Sequence, residues 1–439
     1  MNDAISAHMT AMRQEPADPT STGAAAARRW LRRAASPGSG ADMQDTWRKL
    51  LAATGRESRT LRREPADIFP HFTVDGRWRL LDVRTASGMT NSHYEHGNWT
   101  AGFSIGMLWL DAFRCEDDSR GGRPVAVQEA KRRLAPLAMR AGDHTTHDLG
   151  FLFHPSYVLG HLLGWLSLAE TEPALRAARQ LFLRYNSRMQ LLQAFGPVGH
   201  PSFAGTSTID TMMNLPLLFW AGVHGEDPVL ADIARCHART SARLYFRPDG
   251  STYHLLTLDP VSGALLKRGT FQGASDMSCW SRGQAWAVCG FAWAFGMTGE
   301  RELLEAAEHA VAYFFDHLPA DAVAPWDFTA DTENPRDASA SAAVALGCMF
   351  LAESHPDRAA AAIYRAAAGT VLGALAENCL NTGEKRDGVL QHSCYSKPHS
   401  AGTDSATAWG DFYFGLALAA ATGNIPISTL LPGAGVRHV

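Results

Sequence analysis

The sequence has little that would tie it to metals, nucleotides or membranes. Its seven cysteines are odd in number and scattered, with no CxxC pair and no Cys/His ligand spacing. That argues against a zinc site or a disulfide framework, and it suits reduced thiols in a cytoplasmic protein. Cys279, beside Trp280, reads as a small buried filler. No glycine-rich phosphate loop and no nucleophile elbow occurs, so nucleotide and serine-hydrolase chemistry have no anchor. Charge of neither sign dominates: 40 basic residues face 44 acidic ones, a net of −4, which gives no reason to expect nucleic acid or an anionic membrane. An apolar signal core is also missing, because Ala24 to Ala27 is short and Arg28, Arg29, Arg32 and Arg33 follow at once. No stretch reads as a membrane span. We expect an intracellular protein with a mobile tail over 1–41, rich in Ala, Pro, Ser, Gly and Arg, and one folded domain over 42–439.

What is present is a repeated pattern. The 439 residues are 46% hydrophobic and 19% charged, enough for a large core. Six stretches that are apolar on nearly all sides begin near Trp99, Asp148, Asp210, Trp280, Asp337 and Trp409, recurring every 49–72 residues. A helix apolar all round is buried. Each follows a more polar, amphipathic helix, over 44–55, 124–140, 173–192, 228–245, 301–318 and 357–380. Repeated hairpins that each bury one face stack into a continuous core. The pattern predicts an all-α fold, a closed (α/α)6 barrel of six helical hairpins; an open solenoid would show the same alternation but with shorter, more uniform repeats. Asp75-Gly76 marks a short hairpin near 69–81, and Asp259-Pro260 another within 247–276, placed over the mouth of the barrel.

The inner helices all open on polar or aromatic residues, so those openings converge on one mouth. Asp148 and Asp210 start consecutive inner helices, which pack about 8–10 Å apart. Two carboxyl groups at that spacing fall within one sugar ring and split their proton affinities into one acid and one base. Asp337 and Asp411 hold similar positions, so the pattern leaves four candidates. Each is equally at home as a helix-start acid, favoured by free N–H groups and the helix dipole. Arg282 lies between Trp280 and Trp286. A guanidinium among aromatics suits a planar carboxylate, and the Trp faces suit either a sugar ring or plain core. His254 and Gln272 lie in the loop above that helix and draw no attention by residue type. Aromatics, carboxylates and Arg at one mouth describe a sugar site better than a nucleic-acid groove.

Five segments carry a family likeness. They are Asn98-Trp99-Thr100-Ala101-Gly102-Phe103, His147-Asp148-Leu149-Gly150-Phe151, Ile209-Asp210 through Trp220, Gly269-Thr270-Phe271-Gln272-Gly273, and Trp280-Ser281-Arg282-Gly283-Gln284-Ala285-Trp286. In order and spacing the chain resembles, from about Trp99 to Phe414, the unsaturated glucuronyl hydrolases of glycoside hydrolase family 88. The resemblance implies a six-hairpin α/α barrel and an unusual hydrolysis. The substrate is a lyase-generated oligosaccharide ending in a uronic acid with a C4=C5 double bond. A carboxylic acid protonates C4, water adds at C5, and the hemiketal collapses to release the next sugar. On this resemblance Asp210 is the general acid/base and Asp148 the second essential carboxylate, tuning it. His147, His254, Gln272, Trp280, Arg282 and Trp286 surround the terminal uronate, and Trp99 is an aromatic wall. Protonating carbon needs an undissociated acid near neutral pH, and a nearby carboxylate raises a pKa in that direction. No metal or organic cofactor is implied, and the chain is expected as a monomer or weak dimer.

Two positions depart from the family pattern. Ser104 replaces a common aromatic and is expected to enlarge the pocket. Phe271 stands where members acting on sulfated glycosaminoglycans have Arg, and 393–397 only loosely resembles their sulfate-binding serines and lysine. Rival readings are an unsaturated rhamnogalacturonyl hydrolase, disfavoured by the Asn-Leu-Pro-Leu-Leu run from Asn214, an inverting glycosidase with a water between Asp148 and Asp210, and a non-catalytic sugar-binding protein.

Overall fold

Apolar runs become the inner wall of a helical ring in the computed structural model, which describes residues 23–34, 42–90, 93–95, 97–113, 122–330 and 334–431. The first inner helix is Ala101–Asp111. The second runs through Leu149–Phe153, a π turn at His154–Val158, and Leu159–Leu162. The third opens as a 3-10 turn, Ile209–Met213, and continues as Leu215–His224 behind Pro216. The others are Ser281–Thr298, Ala338–Ser354 and Ala408–Ala421. Each packs on the next, and the sixth returns to the first, so the ring closes. Small residues let neighbouring inner helices approach closely. A Cβ on Gly347 of the fifth helix would stand 2.9 Å from the Cys289 Cα of the fourth, a separation only glycine permits.

The outer helices are Met43–Leu61, Gly122–Leu137, Glu172–Phe182, Pro228–Leu244, Arg301–His317 and Arg358–Asn378. Asp42 and Asp357 cap the first and last of them by accepting from the Gln44 and Ala359 N–H groups. The last is apolar and long enough to cross a membrane, but half of it is buried, packed on the fifth inner helix. The third is shorter than its periodicity suggested. Asn186 accepts from the Arg188 and Met189 N–H groups, and this side-chain turn leads the chain into the paired strands Tyr185–Asn186 and Leu191–Leu192.

One expectation fails at the N-terminus. Gly23–Ala34 is a helix wedged between the fifth and sixth outer helices, not a mobile tail. Trp30 is fully buried there, 5.1 Å from the Phe315 ring, and its Nε1 donates to the Pro319 carbonyl. Its apolar stripe of Ala24, Ala26, Ala27 and Trp30 becomes ordered only against that partner groove. The remainder of 1–41, apart from 23–34, lies outside the described residues.

Two hairpins dress the mouth. Ile68–Val74 pairs with Arg77–Asp82 through Asp75 and Gly76, both at positive φ as a two-residue primed turn requires. Leu255–Leu258 pairs with Leu265–Gly269, and a third strand, Thr206–Thr208, joins them. That third strand runs straight into Ile209–Met213, so the sheet locks the approach to Asp210 against the hairpin carrying His254.

Candidate active site

The openings of the inner helices meet at one end of the ring. Trp99, Asp148, Asp210, Trp280 and Arg282 line one cavity. Trp409 is stacked on Trp99 at 4.8 Å, and Arg282 is paired with Asp337, so all six predicted openings gather at one end. Trp286 and Phe151 form the deep wall, and Phe195, Phe271, Gln272 and Tyr395 also line it. Each predicted site residue therefore reaches the cavity except His254, which stands directly behind Asp210.

Asp148 is held by its own approach strand. Its Oδ2 accepts from the Thr146 hydroxyl at 2.7 Å, and Thr146 Oγ1 in turn accepts from the Asp148 N–H. His147 Nε2 lies 3.3 Å from Asp148 Oδ1, and its Nδ1 is 2.7 Å from the Thr211 hydroxyl. Burial pushes the His147 imidazole down to about 3, against the pull of Asp210. The ring is neutral at physiological pH, and a proton on Nε2 facing Asp148 leaves Nδ1 to accept from Thr211. His147 is thus a neutral bridge between the two helix openings that carry Asp148 and Asp210.

Asp210 faces His254, whose Nε2 lies 3.5 Å from Asp210 Oδ2. That is longer than a hydrogen bond, and neither atom has another hydrogen-bond partner among the described residues. The Trp280 indole N–H is likewise without one. His254 is clamped between Phe271 and Trp280 at 4.3 and 4.5 Å, with Nδ1 on the Thr270 hydroxyl. Burial alone would raise the Asp210 carboxyl. His254 foremost, then His147 and Arg282, outweigh it and hold Asp210 below the ordinary carboxylate range. The expectation of a raised acid, tuned upward by Asp148, is therefore corrected for the free site. The ionised form wins because positive and dipolar neighbours, not a second carboxylate, dominate its surroundings.

Arg282 differs from a free carboxylate clamp. It is fully buried, its Nη1 donates to Asp337 Oδ2 at 2.5 Å and to the Cys394 carbonyl, and its Nη2 donates to the Tyr395 carbonyl at 2.6 Å. The guanidinium is sandwiched between Trp280 and Trp409, at 4.6 and 5.3 Å. Nε and one Nη2 hydrogen remain for a ligand. Asp337 is accordingly structural, accepting also from Ser339 and the Cys394 N–H. Asp411 points elsewhere, accepting from the Val389 and Leu390 N–H groups at 2.9 and 2.7 Å. Ser104, expected to enlarge this cavity, lines a different one, beside Asp411.

Reading the residues missed Tyr395, Phe195 and the threonines. Tyr395 arrives from the loop after the sixth outer helix and accepts from Gln272 Nε2 on its carbonyl. No local pattern announces it. Thr146 and Thr211 were findable, since each lies within two residues of an acid it helps to place.

No family model matches the chain. Curated relatives decide the question. An unsaturated glucuronyl hydrolase of Bacillus sp. strain GL1 is 33% identical over 380 residues, 84% of this chain and 94% of that protein. The chain belongs to the unsaturated glucuronyl hydrolase family. The crystal structure of that Bacillus enzyme aligns with a TM-score of 0.75, covering 85% of this chain and 96% of its own, and the two share the α/α barrel. An unsaturated chondroitin disaccharide hydrolase of Streptococcus pyogenes serotype M1 is 33% identical over 73% of this chain and 80% of its own length. A crystal structure of an unsaturated glucuronyl hydrolase specific for heparin has a TM-score of 0.76 at 30% identity, covering 87% of this chain and 98% of its own.

Proposed function

We propose that this protein removes a terminal C4=C5-unsaturated glucuronic acid from lyase-generated oligosaccharides by hydrating the double bond. The observation that carries the reading is Asp210. One of its oxygens has no hydrogen-bond partner among the described residues, and it lines an aromatic cavity shared with Asp148. The family to which the chain belongs supports the same reading. Asp210 delivers a proton to C4 and afterwards draws one from the water that adds at C5. Asp148, braced by Thr146 and His147, hydrogen-bonds the sugar and fixes its pose. Trp99, Trp280 and Trp286 supply ring faces, and Gln272 closes the rim. The chemistry calls for no cofactor.

Asp210 rests ionised, so the acid form has to be made on binding. The incoming uronate brings a negative charge beside Arg282 and His254, opposing the groups that hold Asp210 down. Substrate binding should therefore take up a proton. Calorimetry of Asp148→Asn with an unsaturated disaccharide near pH 7, in buffers of different ionisation enthalpy, should show uptake approaching one proton. Binding with no uptake would remove Asp210 as the proton donor. Label from heavy-oxygen water should enter at C5 and deuterium at C4, whereas label at the anomeric carbon would indicate an inverting glycosidase.

The second sugar is read as unsulfated. Phe271 packs edge-on against Phe195 at 5.4 Å, and Arg282, the one Arg in the cavity wall among the described residues, is spent largely on Asp337. A 6-sulfated disaccharide should be turned over more slowly than its unsulfated counterpart. The chain is further read as a soluble cytoplasmic monomer or weak dimer, with its six described cysteines unpaired.

A further inference from the structure

A second cavity lies between the first outer helix, the Ile68–Val74 hairpin and the first and sixth inner helices. Its volume is about 250 Å³, and none of its lining residues belongs to the active-site cavity. Four carboxylic acids line it, Glu57, Glu64, Asp387 and Asp411, and among the described residues no Lys, Arg or His does. Asp387 is paired with Arg77 at 3.2 Å. Glu57 and Asp411 form no such ion pair among the described residues. Glu57 accepts from the Trp78 indole at 2.6 Å and the Gly388 N–H at 3.0 Å, and Asp411 from two backbone N–H groups. Each carboxylate thus keeps about half of its acceptor sites. Ser58, one residue along from Glu57 and 2% exposed, lines the same cavity, and its hydroxyl is without a partner among the described residues. Apart from Thr54 and Thr60 the remaining wall is largely apolar, with Leu61, Met107 and Leu108, and Ser104 is small enough to leave the space between them open.

We propose that this cavity binds a small organic ammonium ion. Its charge would lie between Glu57 and Asp411, its N–H groups toward the Ser58 hydroxyl, and its carbon chain along Leu61, Met107 and Leu108. Holding the buried Asp411 carboxyl beside the half-buried Glu57, against largely apolar walls and with no ion-pair partner for either among the described residues, is costly, and a ligand with a charged head and a methylene tail relieves both costs at once. A bare metal ion would leave the apolar walls unused, and an anion would meet four acids.

The probes are n-butylammonium and, as neutral counterpart of the same length, 1-butanol, each titrated calorimetrically into the full chain. Butylammonium should bind at least tenfold more tightly. Glu57→Gln should remove that preference while leaving hydrolysis of an unsaturated disaccharide unchanged, and Ser104→Phe, which fills the space, should remove binding of both probes. Affinity should also rise with pH between 6 and 8. Burial, with Asp387 adding to it, lifts the Glu57 carboxyl to about 7 against the Trp78 and Gly388 donors and Arg56, and burial with Glu57 beside it lifts the facing Asp411, so the bound cation competes with protons on both acids. Equal binding of the two probes, an undiminished preference in Glu57→Gln, or no binding of either to the unaltered protein would overturn the proposal.

Discussion

Asp210 and Asp411 enter the chain in the same way, each in the first turn of an apolar inner helix, and the fold makes opposite acids of them. Asp210 looks across at His254, with His147 and Arg282 behind, and is held down. Asp411 meets burial first and then Glu57, and is pushed well above the ordinary carboxylate range despite its two backbone donors. Asp337 takes a third course, its charge spent on Arg282. A carboxylate at a helix opening is a common motif with no fixed chemistry, because its proton affinity is set by neighbours from other hairpins.

Substitution should separate the first two most sharply. Asp210→Asn should abolish turnover, a loss on the order of 10²–10⁴ or more for the group proposed both to give and to take the proton. Asp411→Asn should leave the rate on the same disaccharide within a few-fold. Comparable losses in both would show that the distinction drawn from their neighbours is false.

Arg282→Ala comes next in size. It orphans Asp337 in the core, so unfolding in urea should show a loss of about 3–5 kcal/mol. A stable variant with weak substrate binding would restore Arg282 to the simpler role of carboxylate clamp. The double variant Arg282→Ala/Asp337→Ala should lose clearly less than the sum of the two single changes.

The smallest effects are in pH dependence, and they have opposite signs. Glu57, raised to about 7, contributes stability that is complete below its unfolded value near 4.5 and is lost as pH climbs through 7. Glu57→Gln should flatten that decline in thermal midpoint between pH 4.5 and 7. Asp210 is lowered, so its contribution is present above the unfolded carboxylate value and is lost as pH falls below it. Asp210→Asn should flatten the acid side and leave the neutral side as it was. Identical pH profiles for the two variants would erase the contrast.

Much of this was legible in advance. Helices apolar on every side have no stable place except inside a ring of others, so the six runs and their amphipathic partners dictated the barrel. The openings at Trp99, Asp148, Asp210 and Trp280 followed, because an inner helix has to start at one rim or the other. Gly23–Ala34 escaped notice because a short helix with one apolar stripe is stable only when a groove receives it.

By itself, then, the sequence determined periodicity, and through periodicity the closed ring and the end at which its polar openings gather. Only the tertiary structure decided what each opening does. Tyr395 comes from a loop 113 residues beyond Arg282, and its carbonyl accepts from both that guanidinium and Gln272. His254 reaches Asp210 because Thr208 pairs with Leu255 in the sheet over the mouth. Periodicity is local and survives in the order of residues. Charge pairing and burial act through space over a few ångströms, and they exist only once distant hairpins have closed around one another.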